Sequence, residues 1–158
     1  MTRTDRASGV GNDARWGLML LLALGALLAF RLAALKFSGT DLFFDEAQYW
    51  SWAQTPAAGY YSKPPLIAWM IAGTTAVCGD GEFCVRVSSP IVHTLTALVA
   101  FLIGRRLYDT RTGALSALAF ATLPGVSVSA GIISTDVPLL FFWALSLYAL
   151  VAMRDTRA

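Results

Sequence analysis

Trp16 to Leu35 is an apolar run of about 20 residues, long enough as a helix to cross a ~30 Å hydrocarbon core. Lipid offers no water to satisfy backbone N–H and C=O groups, so a chain built on such runs folds as helices. Val87–Ile103, Gly113–Ala130 and Pro138–Met153 repeat the pattern. The third is expected to kink at Pro124-Gly125, and Pro138 falls in a first turn, where proline is tolerated. Hydrophobic residues make up 56% and charged residues 14% of the chain, and its mean hydropathy is +0.59. The sequence therefore reads as an all-α integral membrane protein of about four transmembrane helices. The net charge of +2 is uninformative about nucleic acid, but the chain has no long basic run, so no nucleic-acid partner is expected.

Residues 1–15 are polar, carry Arg3, Arg6 and Arg15, and read as a short disordered cytoplasmic tail. They resemble the charged start of a signal peptide. The apolar run that follows is longer than the roughly 7–15 residues of such a peptide, and Arg31 interrupts it where a small-residue cleavage site would begin. An uncleaved helix is expected, with Arg31 snorkelling to the interface.

Residues 37–86 form a long outer loop. Within it Leu42 to Ala53 is expected to be a short interfacial helix, with Phe43, Ala47, Trp50 and Gln54 on one stripe. Pro64 biases Lys63 toward an extended backbone. Leu66 to Val77 holds about a dozen apolar residues, too few to span, and reads as re-entrant or interfacial. Gly79-Asp80-Gly81 marks a turn. Tyr49, Trp50, Trp52, Tyr60, Tyr61 and Trp69 suit an aromatic belt at the membrane surface.

Arginines orient the chain. Arg3, Arg6 and Arg15 precede the first span, Arg105, Arg106 and Arg111 lie between the second and third, and Arg154 and Arg157 follow the fourth. All three clusters fall on one side if each span crosses once, which makes that side cytoplasmic. Both termini are then cytoplasmic in a multi-pass protein of the inner (plasma) membrane. Asp41, Asp45, Glu46, Asp80, Glu82 and Asp136 face outward. So do Cys78 and Cys84, for which a disulfide and two separate buried thiols both stay open.

Ionisable groups at the edge of an apolar bundle are expensive to hold and are functional candidates. Asp45 and Glu46 are adjacent, so on a helix their side chains diverge by about 100°. A partly desolvated carboxylate suits a general base. The competing reading is that both acids complement the positive N-terminus of the short helix. Asp136, in Ser134-Thr135-Asp136-Val137-Pro138, suits a helix N-cap. Arg86 has the reach to bind a phosphate or to anchor at the interface. His93, a lone histidine about two turns deeper, reads as a hydrogen bond between packed helices.

The segments FFDEAQYW, GYYSKPPLIAW, GDGEFCVR, GRRLYD and STDVPLLFFW, in that order, resemble integral-membrane glycosyltransferases that use polyprenyl-phosphate sugars. That family includes protein O-mannosyltransferases, the lipid A aminoarabinose transferase and related bacterial enzymes. The resemblance covers nearly all of Trp16 to Met153 and implies that residues 16–158 are the N-terminal part of a GT-C type fold. It implies that Asp45 is the catalytic base, with Glu46 the adjacent acid, that Lys63 binds the phosphate of the lipid-linked donor, and that Asp136 faces the same cavity as a substrate-binding candidate; Arg86 is a substrate-binding candidate on its reach alone. The implied partners are a polyprenyl-phosphate-linked sugar, a lipid, glycan or protein acceptor, and membrane lipids. Some relatives place an acid before the lysine and use it in a metal site; here that position is Ser62, so no metal or other cofactor is assigned.

Family members are usually several hundred residues long. A truncated or partial chain that needs a partner, or a non-catalytic protein binding polyprenyl lipid or scaffolding a partner, is the alternative expectation. A small transporter ranks last, because transport calls for ionisable groups deep in several spans.

Overall fold

The computed structural model describes residues 3–155, with side chains from Asn12 to Arg154. Arg157 and the side chains of Arg3 and Arg6 lie outside it. The described residues form eight helices and no strand: α1 (Arg3–Phe37), α2 (Phe44–Ala53), α3 (Leu66–Cys78), α4 (Glu82–Arg86), α5 (Ser88–Leu107), α6 (Thr110–Thr122), α7 (Pro124–Ser129) and α8 (Asp136–Asp155). α1 begins at Arg3, so the stretch read as a tail is drawn from that residue on as part of the first helix.

Among the described residues three helices, not four, are long and apolar enough to cross a membrane: Asn12–Phe37 in α1, Glu82–Leu107 through α4 and α5, and Asp136–Arg154 in α8. The expected third span is broken rather than kinked. Pro124 has no N–H to donate and disfavours a helical backbone at the residue before it. Leu123 accordingly swings to ψ 135°, its N–H bonds Phe120 O at 3.2 Å, and α7 starts afresh with Pro124 in its first turn. Each piece alone is too short to span.

Arg31 serves this break. It is buried instead of snorkelling, and its Nη2 donates to Ala121 O at 2.6 Å and Ser127 Oγ at 3.4 Å. The break leaves carbonyls at the end of α6 without a helical partner, and the guanidinium takes one of them.

The spans pack through small residues. Leu20 and Leu24 of α1 meet Ala97 of α5 and Ala114, Ala117 and Ala121 of α6. Small side chains let helices approach closely where lipid supplies no hydrophobic drive. The closest approach is Gly104 against Gly113: a Cβ on Gly113 would sit 2.6 Å from Phe101 O.

The outer loop is a packed cap with its own core of Tyr49, Ala53, Ile67, Ile71, Val85 and Ile133. Its first helix packs on the protein by a face other than the Phe43, Ala47, Trp50, Gln54 stripe. Glu46, Tyr49 and Ala53 face inward, while Phe43 and Ala47 are exposed. Cys78 and Cys84 are disulfide-bonded, with their Cα atoms 5.9 Å apart. The bond joins the end of α3 to α4 across Gly79, whose φ of 91° only glycine adopts without strain.

Candidate functional site

Glu46 organises the outer end of the molecule. It occupies the third position of α2 and reaches back to accept the Phe43 N–H at 3.0 Å, the reciprocal half of a capping box whose first residue offers no capping group. The same carboxylate accepts Arg86 Nε at 2.9 Å and Arg86 Nη2 at 2.6 Å, and its Oε1 accepts the Ile133 N–H at 2.8 Å. Both members of the ion pair are 2% exposed. Burial pushes the Glu46 carboxyl pKa up, but the hydrogen bonds from Arg86, Ile133 and Phe43 outweigh burial and hold it below the usual carboxylate range.

Arg86 is engaged on every side. Beyond Glu46, its Nη1 donates to Thr40 O at 3.0 Å and Thr40 Oγ1 at 3.2 Å, and its Nη2 to Asp41 O at 2.9 Å. All five of its N–H groups thus have an acceptor within the protein. In this arrangement no donor of Arg86 remains for a substrate phosphate, the role the sequence offers it.

The pair joins three parts of the chain: the start of α2, the α4–α5 junction, and the segment before α8. Asp45, next to Glu46, is exposed, as the divergence of neighbouring helical side chains predicts. Asp136 is three residues beyond Ile133, also exposed, and is the first helical residue of α8 instead of its N-cap.

Two hollows flank this end. One of about 490 Å³ lies at the α6–α7 break and is lined by His93, Ser129 and Asp136 among apolar groups. A second, of about 350 Å³, is lined by Pro64, Ile67, Thr135 and Pro138, and both share Leu139. Pro64, next to Lys63, thus lines the same hollow as Thr135 at the start of α8, and Lys63 itself is half-buried. His93 is fully buried and makes the helix-to-helix hydrogen bond its position suggests, Nε2 to Ser129 Oγ at 3.0 Å.

Several of the aromatic residues pin the loop as well as lying at its surface. Trp52 and Tyr60 stack at 4.9 Å, Tyr60 Oη donates to Trp52 O at 3.0 Å, Trp69 Nε1 donates to Ala57 O at 2.9 Å, and Trp50 Nε1 donates to Asp80 Oδ1 at 3.2 Å. Among the described residues no three His, Cys, Asp or Glu side chains cluster as metal ligands would.

Residues 62–157 match the family described as dolichyl-phosphate-mannose-protein mannosyltransferase. A lipid A galacturonosyltransferase of Rhizobium johnstonii is 41% identical over 140 residues, covering 88% of this chain and 29% of the relative. An undecaprenyl phosphate-alpha-4-amino-4-deoxy-L-arabinose arabinosyl transferase of Pseudomonas fluorescens is 35% identical over 156 residues, covering 90% of this chain and 28% of its own length. The corresponding Pseudomonas aeruginosa transferase is 37% identical over 100 residues, 63% of this chain and 18% of the relative. The share matched to the Rhizobium protein leaves too few residues at either end to exclude Asp45 or Asp136. The chain spans less than a third of the length of these curated relatives. No solved structure matches it. The chain belongs to the dolichyl-phosphate-mannose-protein mannosyltransferase family.

Proposed function

We propose that this family member carries the catalytic outer loop of a glycosyltransferase that moves a sugar from a polyprenyl phosphate to a hydroxyl of lipid A. The observation that carries the reading is the division of the adjacent acids: Glu46 is buried and fully bonded, and Asp45 is exposed beside it. Similarity to a lipid A galacturonosyltransferase over most of the chain favours a uronic acid as the sugar, ahead of the aminoarabinose named for the other relatives.

Asp45 accepts the proton of the acceptor hydroxyl. The hydroxyl oxygen attacks the anomeric carbon from the face opposite the lipid phosphate. The bond from that carbon to the phosphate oxygen breaks, the phosphate leaves with the electron pair, and the anomeric centre inverts. Lys63 neutralises the departing phosphate. Asp136 meets the sugar or acceptor from the start of α8. Glu46 and Arg86 are positioning residues that fix the Asp45 helix against the segment leading to Asp136. Arg105, Arg106 and Arg111 lie at the opposite end of the spans from this loop, and that arginine excess supports a cytoplasmic side there and a reaction on the outer face.

The test is transfer in membranes, with radiolabelled undecaprenyl-phosphate sugars carrying galacturonic acid, aminoarabinose or mannose. Asp45→Asn keeps the size but cannot take the proton, and a positioned base contributes about 10²–10⁴-fold. It should abolish transfer and leave insertion and donor binding intact. Lys63→Ala should weaken donor binding as well as rate. Asp136→Asn should be mildest, since asparagine still suits a helix start. Near-native turnover of Asp45→Asn would overturn the base assignment. If none of the three changed activity, the loop would be structural and the catalytic assignments of all three would fall.

A further inference from the structure

The proposed reaction needs a base and a phosphate-binding cation held at a set spacing. The stretch that separates Asp45 from Lys63 leaves α2 after Ala53 and has no regular structure until α3 begins at Leu66. One side chain fastens it. Tyr60 is half-buried, and its ring stacks on Trp52 with centroids 4.9 Å apart and planes 9° apart. Trp52 in turn lies 5.7 Å from the ring of Tyr49, a member of the cap core. Tyr60 Oη accepts the Ala57 N–H at 3.0 Å. Its single proton lies within reach of two carbonyls, Trp52 O at 3.0 Å and Thr55 O at 3.2 Å. Trp52 O belongs to the last turn of α2, where carbonyls lack helical partners. The hydroxyl therefore ties the loop both to itself and to the end of the helix. Trp69 of α3 adds a second tie, donating Nε1 to Ala57 O at 2.9 Å.

Lys63 has no such fastening. Tyr61 and Ser62 are exposed, and among the described residues neither they nor Lys63 makes a hydrogen bond. Lys63 is placed by its neighbours along the chain. On one side stands Tyr60, three residues before it. On the other, Pro64 and Pro65 restrict the backbone and lead into α3, with Pro65 at φ −72°. Asp45 stands seven residues before Trp52, two helical turns, and so on the same face of α2. The Trp52–Tyr60 stack thus joins the helix that carries Asp45 to the segment that ends in Lys63.

We infer that Tyr60 is a positioning residue that acts through Lys63, fixing where the ammonium meets the phosphate of a polyprenyl-phosphate donor. The inference rests on the role proposed above for Lys63. Without the hydroxyl, the loop before Lys63 gains conformers, and the entropy of ordering it falls on the binding step. A ligand with the same chain and no phosphate makes no use of the ammonium and escapes that cost.

The test compares undecaprenyl phosphate with undecaprenol, which share a chain and differ by the phosphate. Binding of each is measured on the full chain in detergent micelles, so the readout does not depend on turnover. The parent should prefer the phosphate, and Lys63→Ala should lose that preference. Tyr60→Phe keeps the ring and removes the hydroxyl. It should cut the preference about three- to tenfold, the range of one net hydrogen bond, and leave undecaprenol binding unchanged. Trp69→Phe removes the other tie to Ala57 and should move the preference the same way. In a Lys63→Ala background Tyr60→Phe should have no further effect. A parent without preference, or a preference that survives Lys63→Ala, would overturn the role of Lys63 and this inference with it. With that role intact, full preference in Tyr60→Phe would overturn the inference alone. So would equal weakening of both lipids, the mark of a merely structural tyrosine, or a further loss of phosphate binding in the double variant.

Discussion

Glu46→Gln isolates the pin that holds the outer cap. The carboxylate accepts four hydrogen bonds, two on each oxygen: Arg86 Nε and Ile133 N on Oε1, Arg86 Nη2 and Phe43 N on Oε2. Glutamine keeps the shape but has one oxygen and one NH2. Whichever way the amide is turned, two donors face a donor, and the guanidinium of Arg86 keeps its charge at 2% exposure with no counter-charge. Removing one member of a buried ion pair costs about 3–5 kcal/mol. Whole folds are stable by only about 5–15 kcal/mol, so the loss is a large fraction. The assay is reversible unfolding in mixed micelles with a rising fraction of dodecyl sulfate, followed by tryptophan fluorescence. The double variant Glu46→Leu, Arg86→Met replaces the pair by apolar groups and should be less destabilised than Glu46→Gln, since no unpaired charge stays buried. If Glu46→Gln unfolded within about 1 kcal/mol of the parent, the scale of a single ordinary hydrogen bond, the pin would not hold the cap.

The same carboxylate sets an acid limit. Its pKa is depressed in the fold, so its stabilisation is complete above the unfolded value of about 4.3 and is lost as pH falls through the lower folded value. Unfolding measured against pH should show an acid limb that Glu46→Gln flattens. Gly113→Ala would place a Cβ 2.6 Å from Phe101 O and 2.7 Å from Arg105 N, both backbone atoms, and should lower stability by about 1–3 kcal/mol. Gly25→Ala, with nothing within 4 Å, is the control and should be neutral or slightly stabilising by the same unfolding assay. Cysteines placed at Asp13 and Ala58 should react with a membrane-impermeant reagent from opposite sides; labelling from one side would defeat the proposed orientation. The non-reduced peptide spanning 78–84 should weigh two hydrogens less than its dithiol form, and free thiols in an oxidised sample would contradict the bond.

Hydropathy made the spans legible at α1, α5 and α8, because a run of about 20 apolar residues has few alternatives. It failed at α6–α7, where a continuous apolar run hides a broken helix. The Pro124-Gly125 pair signalled a disturbance. Whether it kinks or breaks depends on a partner for the freed carbonyls, and that partner, Arg31, is 90 residues away from Ala121. Arg31 was equally opaque for the same reason: an arginine one turn from a helix end looks like an interfacial anchor until its acceptor is known. Within α2 periodicity picked out the stripe an interfacial helix would turn to the membrane and missed the face that packs on the protein. It counted apolar residues, and Glu46 is not one. The buried face of 46, 49 and 53 becomes visible only once Arg86 supplies a counter-charge from another helix. The 62–65 turn was readable from its prolines, and the hollow that Pro64 shares with Thr135 was not, because it depends on how the cap packs on α8.

Two adjacent acids on one short helix look redundant in a sequence, and the fold separates them by orientation alone. About 100° of rotation sends one side chain into the cap and leaves the other outside. The inward acid is ionised and immobile: its pKa is lowered, its lone pairs are taken, and a proton passed to it would break the pair that holds the cap together. A base that must gain and lose a proton in every cycle cannot also be that anchor. The outward acid bears none of those bonds to Arg86, Phe43 or Ile133, so its protonation leaves the frame intact. The anchor also reaches the far side of the site, because Ile133 is bonded to the same oxygen that meets Arg86 Nε. Movement of α2 is therefore tied to the start of α8, where Asp136 stands. In the proposed mechanism Asp45 and Glu46 therefore cannot exchange roles, although they differ by one methylene. The shorter acid at 46 would fall short of Arg86, and the longer one at 45 would carry its proton acceptor away from where the cap sets it.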